Sequence, residues 1–182
     1  ASKAIDVEKL NTLIEINTLI SSSYSDVNAL LVYILESAMR LVECESSSLL
    51  LLHEGDSVLR FEVALGPKGV ECLNIPVVQE GSIAGWVVQN NKSLIIDDAL
   101  SDPRLDSTVQ NKTGYVTKTM IAVPMRVKNR CIGVIELLNK KGNHCFTHSD
   151  LEIIELLSNQ ASIAYQNADT YQRARNEIRV LQ

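Results

Sequence analysis

Apolar positions recur along this chain with two different periods, and the changes between them mark its parts. Leu10, Leu13, Ile14 and Ile20 fall at helical spacing and give the first segment a wide apolar stripe. The polar run "SSSYSD" interrupts it, with Ser25 or Asp26 placed to cap a second helix. Val27, Leu30, Leu31, Ile34, Ala38, Leu41 and Val42 form the apolar face of that helix. Beyond it the period shortens. "SSSLLLLHE" and "SVLRFEVAL" read as two strands joined by a turn at Glu54-Gly55-Asp56. "CLNIPV" reads as a third, short strand, which Pro76 pushes to an edge or an end because it has no N–H to donate. "GSIAGWVVQNN" opens on Ser82 as a cap and closes on Asn90-Asn91, which predicts a short helix, and "SLIID" predicts a brief strand. "DALSDPRLDSTVQNKTGYV" is long and polar, a length that in a compact domain marks a functional loop or short helical turns. "KTMIAVPMRVKNRCIGVIELLNK" reads as a hairpin turning at Lys128-Asn129-Arg130.

From Ser149 to Gln182 the helical period returns and persists. Leu157, Ala161, Ala164, Ala168, Tyr171, Ala174, Ile178 and Leu181 recur at spacings close to a heptad seam, with small residues that let two helices approach. The far end, "YQRARNEIRVLQ", is too polar around the seam to be core, and predicts a coiled-coil linker toward a partner chain and a downstream domain. Strands and helices are segregated more than alternated, so the expected fold class is α+β. The expected organisation is a dimerising N-terminal helix and linker over 1–25, one domain over 26–168, and a C-terminal helical linker over 169–182.

Composition narrows the function classes. A net charge of -5 and a pI near 5.2 argue against a nucleic-acid surface, which would carry a basic stripe. No apolar run approaches the roughly 20 residues of a membrane span. No charged-then-apolar signal pattern opens the chain, so a cytoplasmic location is expected. Cys44, Cys72, Cys131 and Cys145 are scattered, which favours reduced thiols over a disulfide framework or a structural zinc. The chain starts at Ala1 with helical patterns at both ends, and is expected to be a piece of a longer polypeptide.

The densest candidate chemistry is "NKKGNHCFTHSDLE", residues 139–152. Thr147 and Asp150 have the spacing of a capping box, and Phe146 and Leu151 that of a hydrophobic staple across it. Asp150 in a first helical turn suits the helix dipole, and Lys140, expected to be half exposed, can reach its carboxylate. The opposing reading makes His144, Cys145 and His148 metal ligands, but they straddle a helix start and lack an evident fourth ligand. No metal is assigned. G-x-S-x-G, the phosphate loop and H-E-x-x-H are all missing, so no catalytic residue is assigned.

The order of elements, with "SSSLLLL", "IPVVQEGSIAGWVVQNNKSLIIDD", "DPRLDS", "TMIAVPM", "IGVIELLNK", Phe146 and Asp150 ahead of "LEIIELLSNQASIAYQNA", resembles the GAF domain, a sensory module, over roughly Val27 to Ala168. The resemblance implies a six-stranded antiparallel sheet with terminal helices on one face and a ligand pocket on the other. It also implies a homodimer through the terminal helices and an attached output domain. Asn139, Lys140, Phe146 and Asp150 match a family motif of Asn-Lys, Phe and Asp-Glu, with Leu151 standing where the Glu belongs. In nucleotide-binding members that motif is mostly a structural tie.

Carried over residue by residue, the nucleotide pocket of the family falls on Ser48, Ile83, Ala84, Thr113, Thr117 and Glu136. A cyclic nucleotide is the leading ligand. Ala64 stands where an aromatic stacking partner would be useful, Gln110 replaces an acid, and Arg104 is the lid's one arginine. The bland alternative has the hydroxyls satisfying turns and strand ends, and Glu136 facing solvent. The expected function is a regulatory, non-enzymatic ligand sensor. The alternatives are a ligand-free dimerising spacer and a methionine sulfoxide reductase-like enzyme, for which Cys72 and Cys131 are the conceivable pair. Chromophore attachment is excluded, since the family's Asp-Ile-Pro and Pro-x-x-Ser-Phe motifs are missing.

Overall fold

The computed structural model describes residues 6–22, 26–53 and 55–181. Two helices open it, α1 (Val7–Ser22) and α2 (Val27–Val42). Asp26 caps α2 by accepting from the Ala29 N–H, while Ser25 and the turn residue Glu54 lie outside the described residues. Next along the chain are β1 (Cys44–Leu52), β2 (Val58–Leu65), α3 (Gly69–Cys72), β3 (Val77–Val78), α4 (Ile83–Asn90) and β4 (Leu94–Ile96). After a 3-10 turn at Ala99–Ser101 come α5 (Thr108–Thr113), β5 (Met120–Val127), β6 (Arg130–Lys140), a second 3-10 turn at Lys141–Asn143, and α6 (His148–Val180). Lys128 and Asn129 both adopt positive φ, so β5 and β6 are joined by a two-residue turn of the kind that matches strand twist, and Arg130 belongs to the strand.

The third strand is shorter than "CLNIPV" predicts. Cys72 ends the single turn of α3, and only Val77 and Val78 pair, with Leu59 and Val58 of β2. Pro76 cannot extend that ladder, and Gly69 lies so close to the Ala64 carbonyl that a Cβ would collide with it. The close approach seats α3 against β2 and takes Cys72 out of the sheet.

The six strands form one antiparallel sheet in the order β3-β2-β1-β6-β5-β4. Alternation divides its two faces. Leu49, Leu51, Val123, Met125, Ile135 and Leu137 pack under Leu31, Ile34, Leu35 and Ala38 of α2 and Ile154, Leu157 and Ala161 of α6. α1 adds Ile16 and Ile20 to this core. On the other face Leu50, Leu59, Met120, Ala122 and Val134 pack with Ile83, Ala84 and Val87 of α4. The central strands are therefore apolar on both sides, which is why "SSLLLL" reads as a continuous run.

Candidate functional site

A row of four residues crosses the sheet on the α4 face: Ala64 of β2, Ser48 of β1, Glu136 of β6 and Ala122 of β5 are successive cross-strand partners. Three of the four are small, so the row leaves a hollow around the carboxylate. The hollow is a cavity of about 100 Å³. Its roof is α3, the start of α4 and the segment from Leu105 to Thr117. Gly85 lets α4 come down onto the chain at Gln79, whose carbonyl occupies the space a Cβ would need. Ser82 caps α4, accepting from the Gly85 N–H, and donates to the Val78 carbonyl. Arg104 holds the roof laterally, bonding Asp102 through Nε at 2.9 Å and Nη2 at 2.7 Å and stacking 5.0 Å from the Trp86 ring.

The floor is electrostatically unusual. Glu136 is 8% exposed. Burial pushes its carboxyl up from 4.5 to about 7, weakly opposed by the Ser48 hydroxyl, which donates to Oε2 at 3.4 Å. Gln110 of α5 lines the same cavity, and its Oε1 is buried with no hydrogen-bond partner. Cys72 also lines it, its thiol pushed up by burial and by the Glu136 and Glu71 charges. Burial first, and the Glu45 carboxylate among smaller effects, take Tyr115 to about 12.

Of the residues singled out from the sequence, Ser48, Ile83, Ala84, Thr117 and Glu136 line the cavity, as do Ala64 and Gln110. Glu136 faces this interior and not solvent. Thr113 is buried outside the wall: its hydroxyl donates to the Val109 carbonyl and accepts from the Tyr115 N–H, which finishes α5 ahead of Gly114. Tyr115 and Asp106 line the cavity without having been singled out, and Cys72, singled out only as half of a conceivable reductase pair, lines it as well. The signal for Tyr115 and Asp106 was membership of the long polar segment, whereas Cys72, read as the start of a strand, ends α3 instead.

Behind the cavity, the β6–α6 joint ties three elements together. Asn139, at positive φ, accepts from the Lys118 N–H at 2.7 Å. Its amide donates to the Tyr115 hydroxyl, the Val116 carbonyl and Glu45. It thereby fixes the end of the roof segment to the sheet. Lys140 donates to Asp150 Oδ2 at 2.8 Å and to the Val42 carbonyl at the end of α2 at 2.9 Å. Lys140 and Asp150 side chains are 15% and 9% exposed, so the pair is mostly buried, against the half-exposed lysine expected. Thr147 and Asp150 form the full capping box, and Phe146 is buried with the Lys140 ammonium 5.8 Å from its ring. His144, Cys145 and His148 are exposed, and among the described residues no group of three His, Cys, Asp or Glu side chains is placed to hold a metal.

The seam on α6 divides in two. Leu157, Ala161 and Ala164 are buried in the domain's own core, and Ala168 is the last buried residue. From Asp169 onward α6 is exposed along every face to Val180. Small residues that suit a partner helix suit the sheet and α2 equally, so the period alone did not distinguish them. Among the described residues no helix is long and apolar enough to cross a membrane.

A sequence profile of the GAF domain matches residues 25–166. A probable 3',5'-cyclic phosphodiesterase, pde-5, from Caenorhabditis elegans is 26% identical over 178 residues, covering 91% of this chain and 24% of that protein. The chain thus spans about a quarter of the length of that relative. Among solved structures, the GAF domain of a phosphoenolpyruvate-protein phosphotransferase from Coxiella burnetii superposes with a TM-score of 0.80 at 11% identity, covering 93% of this chain and 99% of that one. The free methionine-R-sulfoxide reductase of Neisseria meningitidis, in complex with its substrate, superposes with a TM-score of 0.74 at 15% identity, covering 93% and 96%. At these identities the structural likenesses speak for the fold alone.

Proposed function

The chain belongs to the GAF domain family, and on that premise we propose that it is the regulatory ligand-sensing domain of a larger cytoplasmic signalling protein. The cavity beneath α3, α4 and α5 is its ligand site, and a cyclic nucleotide is the leading candidate. One observation carries this reading: a buried carboxylate, Glu136, in a hollow that small residues keep open. Burying a charge against alanines costs stability, and a core has no use for it. Thr117 adds a hydroxyl, and Ile83 and Ala84 bring to the cavity the first N–H groups of α4, which have no acceptor inside the helix. The similarity to a phosphodiesterase supports both a cyclic nucleotide and an attached catalytic output.

A cavity of about 100 Å³ is smaller than the roughly 300–1,000 Å³ that drug-sized ligands occupy. A nucleotide therefore requires the roof from Leu105 to Thr117 to move outward. The same number favours the second reading, a ligand-free dimerising spacer. The reductase reading has less support: Cys72 lines the cavity, whereas Cys44, Cys131 and Cys145 are not among its lining residues.

Signal transmission runs through α6 in this reading. The chain dimerises along the exposed Leu10 and Ile14 of α1, Leu156 and Ile163 of α6, and the Tyr171, Ile178 and Leu181 end. Calorimetry with cyclic GMP and cyclic AMP tests the ligand. One of them is expected to bind, with Thr117→Ala losing about 1–2 kcal/mol as a removed hydrogen bond. No heat from either at millimolar concentration retires the nucleotide and leaves the spacer.

A further inference from the structure

A buried carboxylate ordinarily collects several donors. Glu136 has the Ser48 hydroxyl alone, at 3.4 Å, which is a long bond. The row on either side of this pair continues in Ala64 and Ala122, so it offers no second side-chain donor. Among the described residues the one cation lining the cavity is Lys68, which is exposed and pairs with Glu71 at 3.4 Å. In the roof, Gln110 Oε1 of α5 is buried with no partner at all. Floor and roof therefore both bring acceptors to a hollow that lacks donors.

A proton from solvent resolves this arrangement. On Glu136 it turns a carboxylate oxygen into a hydroxyl donor, removes the charge, and supplies what the orphaned acceptor of the roof lacks. Ionised, the same group draws water, for which a polar hollow of about 100 Å³ has room. Water admitted there separates α5 from the floor.

We infer that Glu136 is a proton-operated catch for the roof: protonated, it closes α5 onto the floor, and ionised, it lets the roof lift. Burial holds the closed carboxyl at about 7, against 4.5 for an exposed one. Closure therefore has its full advantage below pH 4.5, and that advantage falls away as pH rises toward 7. No other group turned toward the cavity takes over this task. Cys72 of α3 and Tyr115 beyond α5 are pushed upward, chiefly by burial, and stay neutral. Asp106, ahead of α5, already accepts from the N–H and hydroxyl of Thr108. Among the described residues β1, β2, β3, β5 and α4 bring no ionisable side chain to the cavity.

The chain has one tryptophan, Trp86, half-buried on α4 with the Arg104 guanidinium 5.0 Å from its ring, so its fluorescence reads the roof. Acrylamide quenching of the 182-residue chain is expected to rise roughly twofold between about pH 5 and pH 7.5. Glu136→Gln, whose amide keeps the shape and a donor at every pH, is expected to show no such rise. Glu136→Leu removes the titrating group by another route, is expected to be equally flat, and decides the matter if the amide variant does not fold. Histidine also titrates in this range, and the chain's three, all exposed, are kept in both variants. Quenching that stays constant with pH in the folded, unsubstituted chain overturns the inference. So does a rise that persists in either variant, which assigns the response to another group. No ligand enters any of these measurements, so their outcome is independent of the sensor reading.

Discussion

Glu136 is a carboxylate that the fold keeps dry, and its cost is measurable. Burial raises it from 4.5 to about 7. Between those values the folded state holds a proton that the unfolded state has released. The group's stabilising contribution is thus complete below pH 4.5 and is lost as pH rises toward 7. Over that interval the loss is on the order of 3 kcal/mol. The other ionisable groups around the cavity are Cys72 from α3, Tyr115, Asp106 and Lys68. Cys72 and Tyr115 are shifted upward and stay neutral across this window. Denaturant unfolding between about pH 5 and pH 7.5 should show the chain losing stability relative to Glu136→Gln as pH rises. A constant difference between the two would remove the buried charge from the account. Asp150 behaves differently. One of its oxygens receives both Lys140 and the Thr147 N–H at 2.8 and 2.9 Å, so Asp150→Ala strands a mostly buried ammonium. That change is expected to cost about 3 kcal/mol. Thr147→Ala is expected to cost about 1 kcal/mol as a lost cap, and Phe146→Ala about 3 kcal/mol as a core truncation. Urea denaturation of the three variants checks the order. These local ties were legible in the sequence because caps and staples are written at fixed spacing. The orientation of Glu136 came only with the family resemblance, because alternation along β6 does not say whether the second face is covered.

At the scale of elements, the two-period pattern gave both opening helices, the central strands, α4 and the hairpin. It failed where a short element is set by backbone approach and not by side-chain rhythm. α3 exists because Gly69 touches the Ala64 carbonyl, and "CLNIPV" carries no trace of that contact. Gly85 has the same role for α4, where a methyl group would collide with the Gln79 carbonyl. Gly85→Ala is expected to lift α4 off the sheet and destabilise the chain by about 2 kcal/mol or more, measured as a lowered Tm. α6 shows the other kind of ambiguity. Ala164 is 4% exposed in the core, so Ala164→Glu is expected to unfold the domain. Ile163 and Ile178 are 47% and 58% exposed. Replacing both by Glu is expected to leave the fold intact and give a monomer from a dimer. Analytical ultracentrifugation decides it, and a monomer both before and after the change would sink the helical interface.

Over the whole molecule, the sheet is a partition between two bodies of apolar contact. One face holds α1, α2 and α6, and the other holds the cavity. Asn139 and Lys140, adjacent on β6, span the partition. The first anchors Tyr115 and Val116 at the roof, and the second anchors α2 and the start of α6. In the proposed reading, a roof displaced by a ligand pulls on the same strand end that fixes the start of α6. The family was legible from the order of elements together with these motifs. The cavity was legible only in part, because its lining residues come from separate elements and meet only in the folded chain. Hydrogen exchange with and without cyclic GMP tests the central claim, that a ligand entering against Glu136 orders the roof. Slowed exchange across residues 105–117 and at the start of α6, absent in Glu136→Leu, is the predicted result. Unchanged exchange in both segments at saturating nucleotide would contradict the account.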